Sequence, residues 1–277
     1  MNNKLDSYGL DDKVAQTLLI PLYMKSREAQ NPDAIIHDPI ACKLMEELGC
    51  DFSFFNKAVK SCIGCALRAR YFDDKVIHFV TKHPNSVVVN IGCGLDARYE
   101  RVRDSICSDA VFYHLDLPEV IEFREQLIPK TEQDTSIKAS LFETEWMDSL
   151  AKKHQGAAFL FLVEGVFMYF DNQQVKDVFN LLAERFENSE IIFDATSKWM
   201  SDNSHRHDTV RYTGARFKLA LDDSREVESW HSKLRVLSTT YYSDFDEWKR
   251  AGAVNYYMMK LLPKFRKASY LVHCAVS

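Results

Sequence analysis

The stretch that decides the fold of this chain is Ser86-Val-Val-Val-Asn-Ile-Gly-Cys-Gly-Leu-Asp-Ala-Arg98. Its β-branched block, 87–91, lies between Pro84-Asn85 and Gly92, which predicts a short, fully buried strand. Gly92 and Gly94 then end the strand. A glycine turn between a parallel strand and a helix lets a ligand approach the backbone closely, because no Cβ stands in the way. These residues alone are equally compatible with a tight turn that binds no ligand.

Composition and charge limit the classes of protein that need to be considered. The chain has 277 residues, of which 46% are hydrophobic and 27% charged, as in an ordinary globular protein. A formal net charge of −5 provides no basic field for a phosphate backbone, so we expect no nucleic-acid partner. The amino terminus has no apolar run typical of a signal peptide, which favours a cytoplasmic location. The most apolar segment, 157–170, is too short to span a bilayer and contains Glu164 and Gly165, so no membrane partner is expected.

The seven cysteines suit a reducing compartment, because an odd number leaves at least one thiol unpaired. Cys62 and Cys65 have the spacing of half a zinc site or of a redox pair. No second Cys/His pair of matching spacing follows them. We therefore expect thiols on a buried helix face and no metal.

The order of the patterns predicts an α/β fold. Helical periodicity covers 11–30, 40–48 and 53–82 before the first strand. Predicted strands at 87–91, 111–115, 137–142, 158–163 and 190–194 then alternate with helices, including one over 98–107 and one over 145–153. Crossovers of this length require parallel pairing and right-handed connections. The prediction is a Rossmann-like doubly wound sheet.

The end of the chain follows a different pattern. Segments 234–242 and 268–277 alternate like strands and are separated by a helical stretch at 244–252. Because neither segment has a following helix, the sheet is expected to end in an antiparallel pair. The expected organisation is a helical cap at 1–84 and a core at 85–277, with a substrate-covering insertion at about 197–232.

A second site feature is Asp116, which follows the second predicted strand and lies 22 residues after Gly94. A carboxylate at this place can accept both hydroxyls of a ribose, although Asp116 could also form a turn before Pro118. The letters Gly92-Cys-Gly-Leu-Asp-Ala97 also satisfy G-x-G-x-x-G/A, so a nicotinamide dinucleotide remains a candidate. However, a dinucleotide site needs a second mononucleotide-binding half after the first. In this chain the strands after Glu164 lead into an irregular insertion instead.

A nucleoside that carries an amino-acid tail therefore fits this pattern better. Its carboxylate needs an anion-binding group, and either Arg68 or Arg70 on the helix before the sheet could provide one. The alternative is that both arginines are solvated on the helix surface.

Four ordered motifs resemble a known family. They are Arg68-Ala-Arg-Tyr-Phe-Asp73, Asn90-Ile-Gly-Cys-Gly-Leu-Asp-Ala-Arg98, Leu115-Asp-Leu-Pro-Glu-Val120 and Val163-Glu-Gly-Val-Phe-Met-Tyr169. This set resembles the leucine carboxyl methyltransferase superfamily, in particular its bacterial O-methyltransferases of the polyketide (tetracenomycin) type. The resemblance runs from about Thr17 to Phe193 and implies a class I methyltransferase that uses S-adenosylmethionine and releases S-adenosylhomocysteine.

The resemblance also implies roles for the residues that match the first three motifs. Arg70 would hold the methionine carboxylate, with help from Lys25. The turn Gly92-Cys93-Gly94 would pass beneath the methionine and ribose. Asp116 would bind the ribose hydroxyls, and Leu117 would lie beside the adenine.

The later segments would complete the cofactor site. Phe142 and Glu143 belong to a segment that resembles the one flanking the adenine, although the family often has Asp where this chain has Glu143. Glu164, Gly165 and Tyr169 would line the region of the sulfonium and of methyl transfer.

Methyl transfer from a sulfonium is an in-line displacement, to which the protein contributes approach geometry and desolvation. A hydroxyl acceptor needs a general base, whereas a carboxylate is already ionised at pH 7. Tyr169, His205, His207 and Tyr212 are the weak candidates for a base, and loop histidines are commonly plain surface residues.

The predicted function is O-methylation of a hydroxyl or carboxyl group on a small molecule. Two alternatives remain, a protein C-terminal carboxyl methyltransferase and a nucleoside-binding protein without turnover. The sequence specifies neither the acceptor nor the oligomeric state.

Overall fold

The computed structural model describes residues 12–49, 51–106, 108–128, 130–212 and 214–277. In these residues seven strands form one sheet in the order β3-β2-β1-β4-β5-β7-β6. The strands are β1 (Val87–Ile91), β2 (Val111–Asp116), β3 (Asp134–Lys138), β4 (Phe159–Val163), β5 (Ser189–Thr196), β6 (Leu234–Tyr241) and β7 (Ser269–Val276). Strands β1 to β5 pair in parallel, and β7 runs antiparallel to both β5 and β6. The predicted doubly wound sheet with an antiparallel end is confirmed.

Helices lie before and between the strands. They are α1 (Asp12–Ala29), α2 (Pro39–Leu48), α3 (Val59–Lys82), α4 (Arg98–Val102), α5 (Pro118–Leu127), α6 (Glu145–Lys153), α7 (Asn172–Arg185), α8 (Lys198–Asp202), α9 (Ala253–Leu261) and α10 (Pro263–Arg266). Helices α1 to α3 precede the sheet, as the periodicity predicts. The division into a cap at 1–84 and a core at 85–277 stays a prediction.

Alternate residues of the central strands bury opposite faces of the sheet. Val87 and Val89 of β1 pack in one apolar cluster with α6 and α7. Val88 points the other way, into a cluster with the buried face of α3. Because strand side chains alternate, one hydrophobic strand holds helices on both faces.

The strand register brings the site-bearing positions together. Ile91 is paired with both Leu115 of β2 and Val163 of β4. The carboxyl ends of these three strands therefore lie level at one edge. Consequently Gly92, Asp116 and Glu164, although far apart in sequence, meet at that edge.

Two element predictions are corrected by the structure. The third strand covers Asp134–Lys138 rather than 137–142, and its residues Asp-Thr-Ser-Ile-Lys lack the apolar block typical of a central strand. It is the edge strand, where one side needs no burial. The helix predicted at 244–252 is a 3₁₀ turn at Asp246–Ala251, and the longer helix α9 follows it.

None of the helices in the described ranges is long and apolar enough to cross a bilayer. Free thiols are found at Cys42, Cys62, Cys65, Cys93 and Cys274, whereas Cys50 and Cys107 lie outside the described residues. No group of His, Cys, Asp and Glu in the described part of the chain could hold a metal ion.

Candidate functional site

A cavity of about 800 Å³ opens at the carboxyl edge of the sheet. This volume lies in the range of pockets that enclose small-molecule ligands, ~300–1,000 Å³. Its walls come from α1, α3, the turns after β1, β2 and β4, and the segments around α8 and α9. The predicted site residues that line it are Lys25, Gly92, Cys93, Gly94, Asp116, Leu117, Phe142, Glu164, Gly165, Tyr169 and His207.

The glycine turn after β1 forms the floor of the cavity. Gly92 and Gly94 have φ values of 65° and 49°, in the left-handed region that favours glycine. A Cβ at Gly92 would overlap the Val166 side chain, and one at Gly94 would come within 2.7 Å of Leu18 Cδ2. Both positions therefore require glycine, and the turn exposes its backbone to the cavity.

Asp116 is held rigidly at the end of β2. Its Oδ2 accepts a hydrogen bond from the Gly94 N–H at 2.8 Å, and its Oδ1 accepts one from the Leu117 N–H at 2.8 Å. Burial raises its pKa, and the two backbone donors partly offset that shift. Each carboxylate oxygen has two lone pairs, so Asp116 can still accept two hydroxyl groups.

Buried ion pairs surround the glycine turn. Five carboxylates and four cations take part, which leaves one formal negative charge. They are Asp38, Asp73, Asp96, Glu164 and Asp194, paired with Lys25, Arg68, Arg98 and Arg101.

Glu164 and Asp96 are the negative centres of this ion-pair cluster nearest the turn. Burial alone would raise the pKa of Glu164, but Arg98 and Arg68 lower it below its ordinary value. For Asp96, Arg101 and Arg98 overcome the effect of burial and hold the pKa well below its usual range. Both carboxylates are therefore ionised at neutral pH. Arg124, which donates to Gly94 O and Asp96 O, and Asp116 add one charge of each sign beside the turn. The remaining excess of one negative charge favours a positively charged ligand.

Two cations of α3 line the cavity, Lys60 near the start of the helix and Arg68 in its middle. Arg68 is the one that joins the buried ion pairs. Its Nε lies 3.1 Å from Glu164 Oε1, and its Nη1 lies 2.8 Å from Asp194 Oδ2. Arg70 instead pairs with Glu247 at 2.5 Å, away from the cavity lining. Residues two apart on a helix project about 200° apart, so both arginines cannot face one cavity. Of the two arginines considered in the sequence analysis, Arg68 lines the cavity and Arg70 does not.

Lys25 reaches the cavity from α1, where its Nζ lies 2.6 Å from Asp96 Oδ1. Its side chain is almost fully buried although Pro21 interrupts the hydrogen-bond ladder of the same helix. Lys25 and Arg68 thus place two cations on the wall facing the glycine turn.

Three other predicted residues lie outside the cavity lining. Glu143 caps its own turn by accepting a hydrogen bond from the Ser140 N–H at 3.2 Å. His205 is exposed on the insertion, and Tyr212 is 51% exposed with its ring edge on Phe55. The structure therefore does not bring Glu143, His205 and Tyr212 to the cavity with the other predicted residues.

His207 does line the cavity, but its hydrogen bonds limit its chemistry. Its Nδ1 lies 3.1 Å from Thr209 Oγ1 and 3.5 Å from Asp208 Oδ1, and the Thr209 and Val210 backbone N–H groups approach it at 3.4 and 3.5 Å. Burial lowers its pKa, so the ring is neutral at pH 7. The Nδ1 of the neutral ring is therefore engaged by the turn to which His207 belongs.

The far end of the cavity is apolar and aromatic. Its lining residues, which sequence patterns did not identify, include Trp199, Met200, Phe217, Tyr242, Trp248, Met258, Met259 and Phe265. They come from the insertion, from the two 3₁₀ turns after β6 and from α9–α10, and none of these segments carries one of the recognised motifs. Burial raises the pKa of Tyr169 to about 12 and raises that of Tyr242 as well, so both hydroxyls are protonated.

The strand order, the glycine turn after β1 and the acidic residues after β2 and β4 define a class I methyltransferase fold and site. The sequence profile of the leucine carboxyl methyltransferase family matches residues 19–183, more than half of the chain. The chain belongs to this family and is an S-adenosylmethionine-dependent methyltransferase.

Two characterised relatives align along most of their length. The tetracenomycin polyketide synthesis O-methyltransferase TcmP of Streptomyces glaucescens is 26% identical over 94% of this chain and 95% of its own. The S-adenosyl-L-methionine-dependent methyltransferase dpfgK of Gibberella zeae is 23% identical over 77% of each chain.

Two solved structures have a similar fold. A DUF574 family protein from Streptomyces avermitilis superposes with a TM-score of 0.57 at 11% identity, covering 94% of this chain and 97% of its own. A Thermobifida fusca protein with a provisional methyltransferase assignment gives a TM-score of 0.56 at 13% identity, covering 92% and 94%. At sequence identities of 11% and 13%, these two similarities show a shared fold.

Proposed function

We propose that this enzyme transfers a methyl group to an oxygen atom of a small-molecule acceptor, and that the acceptor oxygen is a carboxylate. The observation that supports an oxygen acceptor is the alignment with the O-methyltransferase TcmP over 94% of the chain. The buried cluster of four cations and five carboxylates around the glycine turn supports binding of the methyl donor. When bound, S-adenosylmethionine supplies an activated methyl group on a sulfonium, and its net charge of about +1 matches the cluster's single negative excess.

Residues at the glycine end of the cavity fit the cofactor's polar groups. Arg68 and Lys25 would bind the methionine carboxylate, with Arg68 replacing the Arg70 of the sequence prediction. Asp116 would accept the ribose hydroxyls through its remaining lone pairs. Leu117 and Phe142, which are 39% and 37% exposed at the rim, would cover the adenine. Glu164, held ionised by Arg98 and Arg68, would stabilise the positive end of the methionine.

The acceptor is proposed to be a small aromatic or otherwise apolar molecule. Trp199, Phe217, Met258 and Met259 give this end of the cavity a flat, adaptable wall. TcmP, which aligns over nearly the whole chain, is named as an O-methyltransferase of polyketide synthesis. Both facts support a small organic substrate.

A carboxylate acceptor is favoured because the candidate bases in the described cavity lining are occupied or protonated. The Nδ1 of His207 is engaged by Thr209 and Asp208 of its own turn, and the hydroxyls of Tyr169 and Tyr242 have raised pKa values. Glu164 and Asp194 are both bound to Arg68. A carboxylate needs no base at pH 7, so the protein has to provide only alignment and a dry cavity.

The test is transfer of a tritiated methyl group from S-adenosylmethionine to three acceptor sets. These are aromatic carboxylic acids, phenols of matched shape, and a protein fraction containing free C-terminal carboxylates. We expect the wild type to form base-labile methyl esters on the small acids. At a limiting concentration of S-adenosylmethionine, the Asp116→Asn variant should form none. Label in phenols alone would overturn the carboxylate assignment, and label in proteins alone would favour protein carboxyl methylation, the alternative that the family name suggests.

A further inference from the structure

Exposed apolar side chains are concentrated on one short segment. Nine large hydrophobic residues of the described chain are exposed, and four of them lie within residues 254–262. Val254, Tyr257, Leu261 and Leu262 are 74%, 59%, 72% and 46% exposed. Scattered single residues of this kind are ordinary, but a cluster on one element marks an interaction surface.

Helical spacing puts three of these side chains on one side of α9. Val254, Tyr257 and Leu261 follow one another at intervals of three and four, which is one helix face. Met258 and Met259, on the adjoining face, line the cavity. Helix α9 is therefore a rim of the cavity, with an apolar inner wall and an apolar outer edge.

The charge of this region is opposite to that of the rest of the chain. The last 30 residues, 248–277, contain six of the 35 basic residues and none of the 40 acidic ones. The preceding 247 residues therefore carry a formal charge of −11. Lys260, Lys264, Arg266 and Lys267 are exposed and directly flank the apolar edge. Arg266 is paired with Asp244 at 3.0 Å, so the charge offered to a partner comes from the three lysines.

We propose that α9 and α10 dock on an anionic lipid surface. A short amphipathic element with exposed apolar side chains and flanking lysines binds by shallow insertion and by attraction to anionic headgroups. This requires no spanning helix, so it is compatible with the helices described above. Docking would place the rim at the lipid surface, where an apolar acceptor can enter the cavity directly.

Two other occupants fit the surface less well. In a symmetric pair of chains the same patch faces itself, which would bring two sets of lysines together. An acidic protein would match the charge, but its surface is depleted in the apolar partners that Val254 and Leu261 need. A lipid headgroup layer provides both negative charge and an apolar interior.

The experiment is co-sedimentation of the full chain with lipid vesicles, with no cofactor or acceptor present. Its outcome is thus independent of the proposed reaction. We expect binding to phosphatidylcholine vesicles containing about one third phosphatidylglycerol, little binding to pure phosphatidylcholine, and release by salt. Each basic residue near such a surface contributes about a fivefold gain, so Lys264→Glu with Lys267→Glu should weaken binding at least about 25-fold.

Two matched variants make the result specific. Lys43→Glu with Lys57→Glu changes the net charge equally on other exposed elements and should leave most of the binding intact. Val254→Ser with Leu261→Ser should reduce binding without changing charge. The proposal is overturned if the wild type does not sediment with anionic vesicles, or if both lysine pairs have equal effects. It is also overturned if Val254→Ser with Leu261→Ser abolishes a dimer in analytical ultracentrifugation and leaves vesicle binding unchanged.

Discussion

Replacing Arg68 by methionine tests the buried ion pairs and the assignment of the site cation together. Arg68 is buried and lies 3.1 Å from Glu164 and 2.8 Å from Asp194. Without it, Asp194 loses its only ion pair among the described residues, and Glu164 keeps Arg98 alone. Breaking a buried pair in this way costs about 3–5 kcal/mol. For a protein of this size the melting temperature should fall by roughly 6–15 °C.

Arg70→Met on the same helix is the matched control. Arg70 and Glu247 are 28% and 36% exposed, and a surface ion pair of this kind contributes at most about 1 kcal/mol. The unfolding free energy should therefore change little. In calorimetric titration the affinity for S-adenosylmethionine should fall by about 10-fold to 100-fold in Arg68→Met, as expected when a hydrogen bond to a charged group is lost.

Urea unfolding measures the stability of both variants, and titration at a temperature where both are folded measures binding. If Arg70→Met loses as much stability or affinity as Arg68→Met, the geometry assigned to α3 is refuted. Normal stability and normal affinity in Arg68→Met would refute the role of the buried cluster.

Further outcomes follow from the same site. Gly92→Ala should cost more stability than Gly156→Ala in urea unfolding, because both have positive φ but only the Gly92 Cβ would meet a neighbour. The affinity for S-adenosylmethionine should be full above the raised pKa of Asp116 and decline as the pH falls through it, at a higher pH than for an ordinary aspartate; titrations should show no such decline in Asp116→Asn. The pKa values of Asp96 and Glu164 are lowered in the folded protein, so their ionised forms stabilise the fold above about pH 4. This contribution should be lost as acid protonates the two carboxylates, which acid unfolding would measure.

Much of the fold could be predicted from local patterns because its central strands are unusually apolar. The block at 87–91 and the strand at Phe159–Val163 can be buried on both faces, and a parallel sheet follows from the helices between them. The position of the edge strand Asp134–Lys138 was predicted incorrectly because most of its side chains are polar. Helix α9 was not predicted because its apolar residues do not form one buried stripe. Tyr256 packs in a core cluster, Met258 and Met259 line the cavity, and Val254 and Leu261 are exposed.

Site residues could be predicted where they lie immediately after the end of a strand. Gly92, Asp116 and Glu164 meet because their strands are in register. Whether Arg68 or Arg70 faces the cavity depends on how α3 is rotated about its own axis, which the sequence alone does not determine. The buried ion pairs around the glycine turn join residues up to 126 positions apart, so spacing could not reveal them.

Calorimetric titration of S-adenosylmethionine and of NAD into the wild type and into Asp116→Asn tests the central claim most directly. The site described above predicts one molecule of S-adenosylmethionine bound per chain, at least about tenfold weaker binding in the variant, and no binding of NAD. Absence of S-adenosylmethionine binding, or NAD binding that S-adenosylmethionine competes for, would contradict the assignment of this cavity as a methyl-donor site.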